Sequence, residues 1–298
     1  MTTIQTNSFK AWILAARPKT LSGALIPVLI GSSLAFMHQS FQWLPTLICA
    51  LFACLMQIAA NLINDLYDYL KGSDRSDRLG PERACTQGWI TPTAMKKGIW
   101  LTIAIACLIG STLILYGGWP LIIVGVVCVV FAFAYTTGPY PLSYHGYGDV
   151  LVLIFFGFVP VGGTYYVQTL TWTSDVTIAS IICGLVINTL LVVNNYRDYD
   201  QDRISGKKTI IVRFGKGFGE FFYLTLGIIA AGMCLAFVFN GRLFAGLLPQ
   251  IYLFAHLKTY IKMKEIGSGK ELNLILGETS RNILLFGLLL SFGFMLSL

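Results

Sequence analysis

Asn61–Arg83 reads N-L-I-N-D-L-Y-D-Y-L-K-G-S-D-R-S-D-R-L-G-P-E-R and closes an apolar run that begins near Leu44. Asn61, Asn64, Asp65 and Asp68 stand at i, i+3, i+4 and i+7, a spacing that gathers all four on one face of a helix. Carboxamides and carboxylates grouped where an apolar helix meets a polar loop predict a cation site at the mouth of a membrane cavity.

The rest of the chain supports a membrane setting. Of 298 residues, 55% are hydrophobic and only 12% charged, against about 25% charged in a soluble domain. Mean hydropathy is +0.70. The apolar residues fall into nine candidate spans with soft boundaries, near 20–38, 43–66, 98–116, 119–136, 149–168, 176–195, 220–239, 242–260 and 281–298. Each is close to the length needed to cross a bilayer, and Pro249 predicts a kink in the eighth. The expected architecture is an all-α, polytopic protein of about nine transmembrane helices, one domain over 1–298. Phe9, Trp12, Ile13 and Ala16 are expected on one face of an interfacial helix before the first span. No cleavable leader is evident, and the first span is expected to act as an uncleaved anchor. The seven cysteines are scattered without C-x-x-C spacing, which predicts small apolar packing residues and no disulfide framework.

Charge placement orients the spans. With the N-terminus inside, every one of the 21 Lys and Arg residues except Arg242 lies in or beside a cytoplasmic segment, as the positive-inside rule requires. The net charge of +7 then reflects loops facing anionic lipid, not nucleic acid. The long charged loops are all cytoplasmic, so function is expected on that face.

A second polar stretch, Asn194–Lys208 (N-N-Y-R-D-Y-D-Q-D-R-I-S-G-K-K), closes the sixth run. Shifted by 134 residues, Asn61 aligns with Asn195, Asn64 with Asp198, Asp68 with Asp202 and Gly72 with Gly206. Two equivalent helix ends facing one cavity are the expectation. The two stretches hold Asp65, Asp68, Asp74, Asp77, Glu82, Asp198, Asp200 and Asp202, eight of the chain's 14 acids. Carboxylates near hydrocarbon are costly unless paired or metal-bound. Simple ion pairing with neighbouring bases is the plainer explanation, and Asp200, off the Asp198/Asp202 face, is expected to be solvated.

Asp and Asn oxygens suit Mg²⁺, which keeps waters and bridges carboxylates to phosphate oxygens. Lys71, Arg75, Arg78 and Arg83 follow the first acidic face; Arg203, Lys207 and Lys208 follow the second. Acids, a divalent cation and bases around one membrane cavity point to a lipid diphosphate, with the metal as Lewis acid and the bases neutralising charge on the leaving group. A transporter also fits repeated halves with intramembrane acids, but there the acids belong near mid-span. Asp149, before the run at Val150, is either a recognition or base residue for a hydroxylated acceptor or a helix N-cap. The 137–148 loop has no Lys or Arg and is rich in Gly, Pro and Tyr, the makings of a lid. Tyr135, Tyr144, Tyr165 and Tyr166 either stabilise a cation with their ring faces or sit in the interface belt; the belt or ordinary packing is the expectation for any single one.

Together these passages resemble the UbiA-type intramembrane prenyltransferase superfamily, with its N-D-x-x-D and D-x-x-x-D motifs. More narrowly they resemble its 1,4-dihydroxy-2-naphthoate polyprenyltransferase branch, through A-R-P-K-T-L (16–21), R-L-G-P-E-R-A (78–84), Y-T-T-G-P-Y-P-L-S-Y-H-G-Y-G-D (135–149) and N-N-Y-R-D-Y-D-Q-D-R-I-S-G-K-K-T (194–209). Gly72 replaces the last acid of the superfamily's longer first motif. The resemblance implies a helical bundle around a lipid-accessible cavity in the bacterial plasma membrane. It implies Mg²⁺ on Asn64, Asp65, Asp68, Asp198 and Asp202, and diphosphate contacts from Arg17, Asn61, Asn195 and the bases above. It also implies polyprenyl transfer to 1,4-dihydroxy-2-naphthoate with decarboxylation, en route to menaquinone. Other acceptors, such as 4-hydroxybenzoate, haem or chlorophyllide, belong to the same superfamily.

Overall fold

The computed structural model describes residues 4–72 and 78–297; Arg75, Asp74 and Asp77 fall outside them. The described residues form helices and turns, with no strand. Helix α1 is Phe9–Ala16, capped by the Ser8 side chain, which accepts from the Ala11 N–H. It buries Ala11 and Ala15, packs Trp12 against the same cluster, and exposes Phe9, Ile13 and Leu14, so the expected face of Phe9, Trp12, Ile13 and Ala16 is split, with Trp12 turned inward. Arg17 takes a left-handed backbone conformation with φ 52°, and a 3₁₀ turn, Pro18–Thr20, redirects the chain into α2, Leu21–Met37.

The following helices are α3, Trp43–Leu70; α4, Pro92–Ser111; α5, Pro120–Thr136; α6, Gly148–Thr169; α7, Ser174–Arg197; α8, Tyr199–Ile204; and α9, Lys216–Phe239. The chain then breaks as Pro249 foretells, into a short helix Leu243–Leu247, a 3₁₀ turn Leu248–Ile251, and α10, Tyr252–Ile266. Helix α11, Leu272–Met295, ends the fold. Each expected span has a helical counterpart. By length and apolarity, seven stretches among the described residues suffice to cross a membrane, with α5 a shorter apolar helix. The expected count of nine is therefore not reproduced by those measures, because α5 is short and the eighth span is broken. Exposed Trp100, Leu101, Leu108, Phe239 and Phe254 cover the flanks, and the chain is a multi-pass membrane protein.

Helix α7 is the axle, packed against α6, α9 and α11, while α2 packs on α11 and α3 on α4. Ile30, Leu34, Val161, Ile182, Val186, Phe237, Phe286 and Phe294 form the main buried cluster. Between membrane helices such packing works through van der Waals contact and close approach at small residues. The middle of α6, Leu153–Gly162, is wound as a π-helix and contains Pro160, a wider winding that recurs at functional sites. It rests on α7 through glycines. A Cβ at Gly184 would lie 2.9 Å from the Leu153 Cα, and one at Gly157 would run into the Ser180 carbonyl oxygen.

Gly157→Ala is therefore expected to force α6 off α7 and lose about 1–3 kcal/mol, read as a lower Tm of the purified protein in detergent. Gly163→Ala, in open space, should leave Tm unchanged. Equal shifts in the two variants would contradict the packing described.

Candidate active site

A cavity of about 1370 Å³ runs between α2, α3, α4, α5, α6, α7 and α11. Its lining extends along α3 from Cys49 to Asp68, about 28 Å at 1.5 Å per residue. Val28, Cys49, Phe52, Leu113, Leu121 and Val167 line the apolar part. The polar part lies where α3 and α7 end, and it brings together Arg17, Asn61, Asn64, Asp68, Arg78, Arg83, Asn195, Asp198, Asp202 and Lys207. The two stretches aligned in the sequence thus meet across one space. Gly72 and Gly206 both adopt positive φ, +66° and +75°, the conformation for which glycine is suited, so both helix ends turn in the same way. They differ in one respect. The first motif lies on the continuous α3, whereas the second spans the joint between α7 and α8 at Asp198.

The acids are ion-paired. Asp68, buried on α3, meets Arg83 Nη2 at 2.9 Å. Arg197 grips Asp198 with both arms of its fork: Nε donates to Oδ1 and Nη2 to Oδ2, each at 2.7 Å. Lys207 lies 3.5 Å from Asp202. Burial pushes the Asp202 carboxyl up to about 6, the charges of Asp198 and Asp68 adding to burial against the opposing pull of Lys207. Burial works against the Lys207 ammonium, but Asp202 and Asp68 hold it above its ordinary value. The plainer reading of ion pairing therefore describes the arrangement of these side chains, and the question becomes what else the arrangement can bind.

Not every expected residue lines the cavity. Asp65 is buried away from it, its two oxygens accepting the Ala84 and Cys85 backbone N–H groups at 2.9 Å each. Asn61 anchors the turn before α2: its amide donates to Ala16 O and Thr20 Oγ1, both at 3.0 Å. Asn64 accepts from the Thr136 hydroxyl, and its carbonyl accepts from Arg83 Nη1 at 2.6 Å. Lys71 lies outside the lining and donates to the Thr136 carbonyl. Arg203 and Lys208 are exposed and also outside it. Asp149 is not the N-cap of α6, a position held by Tyr147. It lines the cavity, and its Oδ1 accepts from Asn188 of α7 at 3.1 Å.

Three residues carried no expectation from the sequence, and a fourth lies elsewhere than expected. Arg197 is 2% exposed, and its only sequence signal is its place beside Asp198. Asn273 at the start of α11 donates to Leu79 O at 2.8 Å and accepts from Arg197 Nη1 at 2.9 Å, tying three distant segments together without a local motif. Asn188 is the third. Tyr144 is the fourth: it lies not in a lipid-facing belt but between Lys71 and Lys207, their Nζ atoms 4.6 and 5.0 Å from its ring centre, with its hydroxyl donating to Asp68 Oδ1 at 3.4 Å. Tyr165, buried at the other end of α6, bonds His38 at 2.6 Å. His145 is stacked on Tyr140 and does not line the cavity.

The donor set fits Mg²⁺. Among the described residues no three acids, histidines or cysteines cluster tightly enough to hold an ion alone. Asn64, Asp68, Asp198 and Asp202 nonetheless offer oxygens to one space. Mg²⁺ ordinarily takes one or two carboxylates plus water and phosphate oxygens, and this set supplies that share.

The model of the UbiA prenyltransferase family matches residues 24–270. The chain is 36% identical to the 1,4-dihydroxy-2-naphthoate octaprenyltransferase of Haemophilus influenzae, covering 97% of each. To the enzyme of the same name from Escherichia coli it is 36% identical over 80% of this chain and 79% of that one. A UbiA homolog from Archaeoglobus fulgidus, solved bound to DMAPP and Mg²⁺, shares the fold with a TM-score of 0.69 at 15% identity, over 96% of this chain and 99% of that one. Motif, cavity and relatives agree along nearly the whole length, and the chain belongs to the UbiA prenyltransferase family.

Proposed function

We propose that the protein transfers a polyprenyl group from its diphosphate to 1,4-dihydroxy-2-naphthoate, with loss of CO₂, giving the demethylmenaquinol of menaquinone synthesis. One observation carries the reading: facing acids and bases at one end of a long, otherwise apolar cavity. That is the shape of a molecule with a charged head and a hydrocarbon tail. The relatives that match along most of the chain bear the name of this activity, which selects the acceptor.

Arg17, Arg78, Arg83 and Lys207 bind and orient the diphosphate; Asn195 contributes an amide. Asn64, Asp68, Asp198 and Asp202 hold Mg²⁺, which supplies Lewis-acid stabilisation of the departing diphosphate. Asp65 stands outside that set: by fixing the backbone at Ala84 and Cys85 it positions Arg83 against Asp68. Phe131, Phe155 and Phe156 line the cavity. Their ring faces stabilise allylic positive charge, and the apolar walls exclude water that would capture it. Asp149, steadied by Asn188, accepts a hydrogen bond from a hydroxyl of the acceptor, which raises electron density in the ring without removing the proton. The ring carbon bearing the carboxylate bonds to the prenyl carbon as the allylic C–O bond breaks. The carboxylate then leaves as CO₂, returning its electron pair to the ring, and the oxygen keeps its proton. The distribution of Lys and Arg supports a cytoplasmic site and N-terminus in a bacterial plasma membrane, with residues 1–298 acting as one catalytic unit and membrane lipid as its surroundings.

Asp68→Asn and Asp202→Asn are expected to lower turnover at least about 100-fold; each also leaves a base without its counter-charge and lowers Tm, so turnover is compared at a temperature where gel filtration and circular dichroism show both variants folded. Chelation of Mg²⁺ should silence the wild type reversibly. Full activity in either variant would rule out the metal role. Asp65→Ala strands two buried N–H groups and should instead cost about 2–4 kcal/mol of stability, measured by denaturant unfolding in detergent. Mass spectrometry of products from mixed acceptors should show prenylated, decarboxylated naphthoate. Product with 4-hydroxybenzoate alone would sink the acceptor assignment.

A further inference from the structure

We infer that Arg197 is a built-in competitor of the metal for Asp198, so that divalent cation and diphosphate enter the site together, the guanidinium passing from carboxylate to phosphate oxygens as they do. The inference rests on the diphosphate reading above and adds an order and a coupling to it.

Both oxygens of Asp198 are taken by one guanidinium, at 2.7 Å each. A cation arriving alone must therefore displace charge-assisted bonds that are among the stronger ones a carboxylate makes. It would also leave a guanidinium, 2% exposed, facing added positive charge. A diphosphate removes that conflict, because its oxygens accept a planar fork as a carboxylate does. The surroundings limit where the fork can go. Nη2 also donates to Asn194 Oδ1 at 2.6 Å, and Nη1 to Asn273 Oδ1 at 2.9 Å. On the loop side a Cβ at residue 80 would sit only 2.8 Å from Nη2, so Gly80 lets the loop close down on the guanidinium and leaves it no room to retreat. Arg197 and Asp198 both line the cavity, the remaining direction of movement. Arg83 holds Asp68 at 2.9 Å on the opposite helix end, so an arginine covers an acid on each side of the site.

The test is Mn²⁺ binding to the full-length protein in detergent, followed by electron paramagnetic resonance. It is run with and without inorganic diphosphate and corrected for the Mn²⁺–diphosphate complex in solution. Wild type should bind Mn²⁺ weakly alone and at least about 5-fold more tightly with diphosphate. Arg197→Lys keeps the charge but covers one oxygen at most. It should bind Mn²⁺ alone about 5-fold more tightly than wild type and lose most of the diphosphate enhancement. Arg197→Gln should go further in the same direction if circular dichroism and gel filtration show it folded. Unchanged or weaker binding of Mn²⁺ alone by Arg197→Lys, with wild type still coupled to diphosphate, overturns the competition and leaves the proposed function standing. No Mn²⁺ binding by wild type under either condition overturns both.

Discussion

The constraint on which the structure turns is the cost of holding carboxylates at the edge of a hydrocarbon layer. An acid there is tolerated only with a partner, and each cavity acid of the two motifs has one: Arg83 for Asp68, Arg197 for Asp198, Lys207 for Asp202. Buried pairs of this kind contribute little net stability, yet removing one partner is expensive. The acids are thus costly as scaffold and useful as ligands. A site made this way holds acids and bases side by side, the two kinds of group that a cation and an anion would each need.

Positioning the partners consumes much of the local sequence. The Arg83 guanidinium reaches Asp68 because Asp65 pins the next two backbone N–H groups to α3. The Arg197 guanidinium reaches Asp198 because Asn273, from the far end of the chain, closes its other side and also fixes Leu79. The loop after α3 is therefore clamped from both halves of the molecule. The helices that carry the clamps are held by close glycine contacts, as between α6 and α7, so the polar end inherits its rigidity from the apolar packing beneath it.

Much of this was legible in the sequence. Apolar runs located the helices, and a 134-residue shift found the two facing helix ends together with the glycines that turn them. Asp65 shows where helical spacing is too coarse. At about 100° per residue, Asn61, Asn64 and Asp68 cluster within about 60°, while Asp65 lies about 40° beyond Asn61 at the edge of that cluster, on the side that meets the 84–85 backbone. Asn188 and Asn273 were illegible because their partners, Asp149 and Arg197, come from other elements, and an asparagine in an apolar helix carries no periodic signature. The π-winding of α6 was hidden for a related reason: Pro160 and Gly157 mark an irregular helix, but only the fit against Gly184 and Ser180 decides its form.

The loop between α5 and α6 brings these threads together. It carries no lysine or arginine, although bases crowd the face on which it lies. Its Tyr144 ring lies between Lys71 and Lys207, one following each motif, and its Tyr144 carbonyl accepts the Lys208 N–H at 2.7 Å. His145 O likewise accepts from Arg213 at 2.7 Å. A basic residue here would repel those it covers, whereas ring faces and carbonyls attract them. The loop's missing charge is thus the complement of the surplus on its neighbours, and it joins the two halves of the site by offering electrons where both halves offer cations.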